Sequence, residues 1–163
     1  MEKIKVLHLF SSDTIGGAEK QTLLTAISFK ELSQKFEPIV AAPKKSFLYE
    51  ESEKKEIKVK NFTCRGTFTP TGVIKLIKII KDEKIKILHV HQGKLYWTAL
   101  LMKLFFPDIK VVLHRRQDTR HKWYAKWHYK LADITLTVSK VVKDNLIKYE
   151  NAPINKVKVL YNA

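Results

Sequence analysis

An apolar run, IKVLHLF (residues 4–10), ends in a polar loop, and Gly16, Gly17 and Glu19 then lead straight into a helical pattern. Glycine lets a ligand come close to the backbone, and the free N–H groups of a first helical turn attract anions. A diphosphate suits that junction; a plain strand-to-helix turn explains the same residues. Glu19 falls where a carboxylate complements the helix dipole, with a ligand hydrogen bond as the alternative. A second group, LHRRQDTR (113–120), sets His114 at the end of another apolar run with Arg115, Arg116 and Arg120 around it. His114 there can hydrogen-bond a hydroxyl or a developing charge, and guanidinium groups grip phosphate or carboxylate bidentately. A core histidine and a solvated basic loop are the ordinary counterparts. Asp118 can orient an arginine or contact a hydroxyl. His89 and His91 flank Val90 at the end of KILHVH. Their side chains are expected on opposite faces, so no shared metal is expected; His91 stays a site candidate, while His8 and His89 read as structural.

These residues need elements to hold them. Apolar runs predict strands at 4–10, 37–42, 57–62, 86–91, 109–114, 133–138 and 156–161. Helical patterns fall between them at 17–34, 71–83, 93–106, 120–132 and 139–150, with a weakly helical segment at 46–55. Leu23, Leu24 and Ile27 are expected on the apolar face of the first helix. Ile74 and Ile77, against Lys78 and Lys81, give the third segment an apolar and a basic side. Strands rich in Ile, Val and Leu that alternate with helices predict a doubly wound, Rossmann-like α/β domain, its mainly parallel sheet covered on both faces. Ligands in such folds bind beyond the C-terminal strand ends. That rule selects 11–19, 91–94, 114–120 and Ser139. Ser139 also reads as a helix N-cap.

The 163 residues suit one domain with a real core. A net charge of +15 favours an anionic partner: phosphorylated ligand, lipid headgroup or nucleic acid. A lysine-rich composition alone would produce the same charge. Cys64 is the single cysteine, so no internal disulfide forms, which fits a reducing compartment. The apolar stretch 95–107 is interrupted by Lys103 and ended by Pro107, too short to span a bilayer, and reads as a buried helix. Several chemistries lack their motif: no G-x-G-x-x-G, no P-loop, no D-x-D and no G-x-S-x-G occurs.

The segment RHKWYAKWHYK (120–130) places Trp123 and Trp127 four apart, with Lys122, Lys126 and Lys130 repeating beside them. Aromatic rings beside lysines suit an anionic membrane surface, with Trp123, Lys126, Trp127 and Lys130 as contacts. The ordinary reading packs the tryptophans on the sheet and leaves the lysines in water. Single-stranded nucleic acid would also suit such residues, but no nucleic-acid module accompanies them, and none is expected as a partner.

GGAE (16–19), LHVHQG (88–93), VVLHRRQD (111–118), ADITLTVSKVVKDNLIK (132–148) and KVKVLYNA (156–163) follow one another along the chain. In that order they resemble the N-terminal, acceptor-side domain of glycosyltransferase family 4. The resemblance implies half of a two-Rossmann (GT-B) architecture, a retaining mechanism, a nucleotide-sugar donor and metal-independent chemistry. It implies a glycan or glycolipid acceptor, in cell-surface polysaccharide or lipopolysaccharide synthesis, at the cytoplasmic face of the membrane. It puts Gly16 and Gly17 near the donor diphosphate, makes His114 the catalytic candidate touching sugar hydroxyls, and sets His91 at a site-facing strand end. The family's two glutamates eight positions apart are absent, and the usual NG is Asn162-Ala163. Residues 1–163 are thus expected to be the N-terminal domain, inactive alone, with a C-terminal Rossmann domain completing the donor site. A non-catalytic domain that binds anions or a membrane surface is the alternative.

Overall fold

The computed structural model describes residues 2–13, 15–117 and 125–161. It contains strands β1 (Ile4–Leu9), β2 (Phe36–Ala42), β3 (Lys58–Asn61), β4 (Ile87–Val90), β5 (Lys110–Arg115), β6 (Ile134–Thr137) and β7 (Val157–Val159). Helices α1 (Gly17–Leu32), α2 (Phe47–Lys54), α3 (Pro70–Glu83), α4 (Tyr96–Phe105), α5 (Ala125–Leu131) and α6 (Lys140–Glu150) connect them. All seven strands pair in parallel in the order β3-β2-β1-β4-β5-β6-β7. This is the doubly wound Rossmann-like architecture. The chain leaves β1 for β2 on one side, and β4 lies on the other. The order therefore reverses between β1 and β4, which is where a crevice opens in such sheets.

Two layers of core follow from the side-chain period of two along each strand. Leu7, Leu9, Leu88, Val90, Val111 and Leu113 face one side, under α3, α4, α5 and α6. Phe10, Val40 and Ala42 face the other, under α1 and α2. On that second side the described helices stop at α1, so the coverage is uneven. Ile134 on β6 and Leu160 after β7 remain 40% and 46% exposed. Leu24 stands 45% exposed along the same side, so it is not on the buried face of α1, which is Glu19, Thr22, Leu23 and Ala26. Ile74 is likewise exposed, because α3 buries Leu76, Ile79, Ile80 and Glu83 instead.

Local chemistry sets the ends. Thr69 caps α3 by accepting from the Gly72 N–H at 3.3 Å, with Pro70 in the first turn, and Lys84 closes the helix in the left-handed region. Ser139 caps α6 through the Val142 N–H at 3.2 Å, as its helix-start position predicts. The segment 46–55 is a helix, α2, capped by Ser46. The predicted helix at 93–106 opens with a 3-10 turn (Gly93–Leu95) before α4. It is only partly buried: Leu104 and Phe105 face outward. No described helix is long and apolar enough to cross a membrane.

Edge strand β3 is protected by lysines. Lys58 and Lys60 reach the Glu83 carboxylate at 2.6 and 2.5 Å. Burial pushes that carboxyl up, but the hydrogen bonds and charges of the two lysines outweigh it and hold Glu83 below its usual range. Glu83→Ala should lower the urea-unfolding free energy by about 1–2 kcal/mol, discounted for the half-exposed lysines. An unchanged unfolding midpoint would show that the bridge contributes nothing.

Candidate functional site

A cavity of about 340 Å³ opens at the C-terminal ends of β1, β4 and β5. Its lining includes Ser12, Ala18 and Glu19 from the first loop and helix, and His91 and Lys94 after β4. Tyr96 from α4, and His114, Arg115 and Arg116 at the end of β5, complete the wall. Three of the four ranges selected by the strand-end rule thus meet in one crevice. Ser139 stays with its helix cap.

The histidines are brought together more tightly than expected. Residues two apart on a strand share a face, so the expectation that His89 and His91 diverge is overturned: their ring centroids are 4.1 Å apart. His8 pairs with His89 in the parallel register, and the His89 ring stacks on His114 at 5.4 Å. All four rings are buried. Sequence reasoning missed His8 and His89 as neighbours of the site. A period-two count on β1 and β4 carried the signal, since these histidines alternate with the core leucines.

Hydrogen bonds order part of this stack. Arg116 Nη2 lies 2.9 Å from His91 Nδ1. Guanidinium only donates, so Nδ1 accepts and neutral His91 carries its proton on Nε2. His91 Nε2 lies 3.2 Å from His8 Nδ1, which must then accept. His8 is left with a protonated Nε2 that has no partner among the described residues. Both His114 ring nitrogens and His89 Nε2 are also unpartnered there. Burial, reinforced by the Arg116 charge, lowers His8 and His114 to about 3. Burial and neighbouring rings also push His89 and His91 well below the ordinary value. The rings are neutral at physiological pH.

Neutral imidazoles are metal ligands, and nitrogens of His8, His89 and His91 lie within 4.8 Å of one another. A tetrahedral Zn–N shell needs nitrogens about 3.4 Å apart. His91 would also have to release Arg116 or His8, and among the described residues no carboxylate belongs to the cluster to offset the dication. The arrangement fits a hydrogen-bonded stack better than a coordination shell.

Arg116 is the cation that faces the cavity with capacity to spare. Its Nη2 also reaches Thr22 Oγ1 at 3.5 Å, while Nε and Nη1 are buried without a partner among the described residues. Burial lowers it to about 10, with Tyr96 and Glu19 acting in the opposite sense, so it stays charged. Arg115 differs: its Nη2 lies 3.8 Å from Glu150, which also accepts from Tyr129 at 3.0 Å. Lys94 donates to the Ser11 carbonyl, and Gln92 accepts from the Ser11 N–H at 2.8 Å, tying the first loop to β4. Tyr96 donates to the His114 carbonyl at 2.9 Å and so fixes that strand end.

Gly16 caps α1 in extended backbone, and a Cβ there would meet the Glu19 carboxylate at 3.1 Å. Gly17 is exposed, with open space around it. The cavity reaches Ala18 and Glu19 rather than the two glycines themselves. Asp118, Arg120 and Trp123 lie outside the described residues. Trp127 is 46% exposed, with Lys126 and Lys130 over its ring at 5.8 and 5.3 Å. It therefore does not pack on the sheet; α5 buries Ala125, His128 and Tyr129 instead.

A parallel Rossmann-like sheet with an anion-ready crevice at its switch point defines the class. The chain belongs to glycosyltransferase family 4, whose model matches residues 15–163. Among solved structures it is similar to a glycosyltransferase from Rickettsia africae, with TM-score 0.81 and 19% identity, covering 99% of this chain and 43% of that one. It is also similar to Anabaena Alr3699/HepE in complex with UDP and glucose (TM-score 0.71, 18% identity, 98% and 45% covered). A third is the lipopolysaccharide outer core galactosyltransferase WaaB (TM-score 0.70, 18% identity, 98% and 46% covered). At these identities the likeness establishes the fold. The chain spans less than half the length of each. No curated protein sequence matches it.

Proposed function

We propose that this chain is the acceptor-side half of a retaining glycosyltransferase that moves a sugar from a nucleotide-sugar to a glycan or glycolipid. The observation that carries the reading is Arg116: a guanidinium lining the crevice and held by His91, with two buried nitrogens that have no partner among the described residues. A phosphate or a developing negative charge is the group such a cation accepts. The N-terminal turn of α1 offers further donors beside it, and His114 stands at the same rim for a sugar hydroxyl.

The donor site is completed by a second Rossmann domain. Two facts support this: the similar structures are more than twice as long, and the sheet face beyond α1 carries exposed apolar residues. Metal-independent chemistry fits a site that carries its own cations, Arg116 and Lys94, beside the single carboxylate of Glu19 among its described lining. The acceptor belongs to cell-surface polysaccharide or lipopolysaccharide, and the protein works at the cytoplasmic membrane face, where the basic surface meets anionic lipid. Gly16, Gly17, Glu19, His91, Arg115, Asp118 and Arg120 complete the proposed contacts.

The test is transfer from labelled UDP-sugars by the protein joined to its second domain, without added metal and with the product anomer read by NMR. Retained anomeric configuration in the presence of chelator is expected. Inverted product would overturn the retaining mechanism, and no transfer from any nucleotide-sugar would overturn the enzyme reading. His114→Ala should reduce kcat about 100-fold or more with the fold intact; unchanged kcat would remove His114 from the chemistry.

A further inference from the structure

The turn after β4 carries a second cation into the crevice. Lys94 lines the cavity with Arg116, from the 3-10 turn Gly93–Leu95. Leu95 and Tyr96 behind it are buried, and Tyr96 donates to the His114 carbonyl, so the base of the lysine is fixed. Its Nζ donates to the Ser11 carbonyl. An ammonium carries three N–H donors, so Lys94 keeps donors for a ligand. Ser11 is itself held on every side. Its N–H donates to Gln92 Oε1 at 2.8 Å, and its Oγ accepts from the Cys64 N–H at 2.8 Å and donates to the Cys64 carbonyl at 3.1 Å. The first loop, the β3–α3 loop and the turn after β4 are thus clasped at one buried serine, and Lys94 is tied to that clasp.

The cations of the crevice differ in their surroundings. Arg115 is paired with Glu150. Arg116 feels the Glu19 carboxylate and is anchored toward α1 through Thr22. Lys94 lies on the other flank, in the segment that leads into α4, and α1 and α4 cover opposite faces of the sheet. Elsewhere Lys58, Lys60, Lys103 and Lys110 each have a carboxylate. Among the described residues none pairs with Lys94. The crevice therefore has two cationic poles, and a phosphate held at Arg116 leaves the second unanswered. A compact ammonium suits the head of a phosphate monoester, whereas a carboxylate favours the planar fork of an arginine.

We propose that Lys94 holds a phosphate carried by the acceptor, so that the sugar is moved onto a phosphate-bearing substrate while Arg116 serves the donor. The proposal rests on the crevice reading above and adds the chemical class of the acceptor. Amide shifts of the full chain, followed by NMR, are titrated with glucose 6-phosphate, glucose and glucuronate. Shifts at Ser12, Gly93 and Lys94 are expected with glucose 6-phosphate at concentrations where glucose and glucuronate give none. Lys94→Gln keeps a donor for the Ser11 carbonyl but removes the charge. It should weaken binding about tenfold or more, with the amides of β2 and β3 unmoved. In the protein joined to its second domain, saturating UDP should leave the glucose 6-phosphate shifts at Lys94 in place. Displacement by UDP would assign Lys94 to the donor and overturn the proposal, although the crevice reading stands. Equal binding by Lys94→Gln, or of glucuronate, would overturn it too, as would UDP shifts at Arg116 with none from glucose 6-phosphate. If neither compound shifts any crevice amide of the joined protein, both readings fail.

Discussion

Between pH 7 and pH 5.5 this domain should lose a large part of its stability. His8 and His114 are held at about 3 in the folded chain, chiefly by burial. In the unfolded chain an ordinary histidine titrates near 6.5. The unfolded state therefore binds more protons below pH 6.5, and stability falls as the pH falls. The stabilisation from the neutral rings is fully present above 6.5 and lost progressively toward 3. For these two histidines the loss between pH 7 and 5.5 is about 2.5 kcal/mol. His89 and His91 shift in the same direction and add to it. Against a total of about 5–15 kcal/mol for a typical domain, that decides whether the chain stays folded in mild acid. Urea unfolding at pH 7, 6, 5.5 and 5 reads it directly. His89→Gln should flatten the slope by about 0.8 kcal/mol per pH unit averaged over pH 7 to 5.5, approaching one proton's worth only at the acid end. A stability that stays level from pH 7 to 5.5 would mean the rings are not buried as a neutral stack.

Replacing Arg116 should have the largest effect on transfer. Arg116→Ala removes the cation aimed at the crevice and leaves His91 Nδ1 without its donor. With the second domain present, kcat/KM should fall about 100- to 1000-fold, the range found when a charge-stabilising donor is lost. Arg116→Lys should restore only part of it. An ammonium supplies the charge but cannot serve His91, Thr22 and a phosphate through one planar fork. Near-neutral urea stability of Arg116→Ala should fall by no more than about 1–3 kcal/mol, the cost of leaving the buried His91 Nδ1 without its donor, so the domain stays folded. Full activity of Arg116→Ala would show that the positive charge of the crevice is incidental.

The fold was legible because its signals are additive and local. Seven apolar runs between helical patterns admit few other arrangements, and turn and cap residues such as Ser139 mark several ends. Leu24 and Ile74 misled because an apolar residue on a helix is not bound to the core side. In α1 and α3 the neighbouring helix and sheet take the Leu23 and Leu76 faces instead. The rim of the site was legible too, since strand-end position alone brings His91, His114 and Arg116 to one crevice. The His8–His91–Arg116 connection was not. It depends on strand register across β1 and β4, which no local pattern encodes, and on a correct count of the strand period. The exposure of Trp127 was also hidden, because the Trp and Lys spacing fits either side of α5.

The central claim is that the crevice at the ends of β1, β4 and β5 holds the reacting sugar phosphate. Hydrogen–deuterium exchange of the protein joined to its second domain, with and without saturating UDP-sugar, tests it most directly. Slower exchange is predicted in the peptides covering 16–20, 91–95 and 114–117, with little change at α2 or β3. Saturated binding that leaves those three peptides untouched would contradict the account.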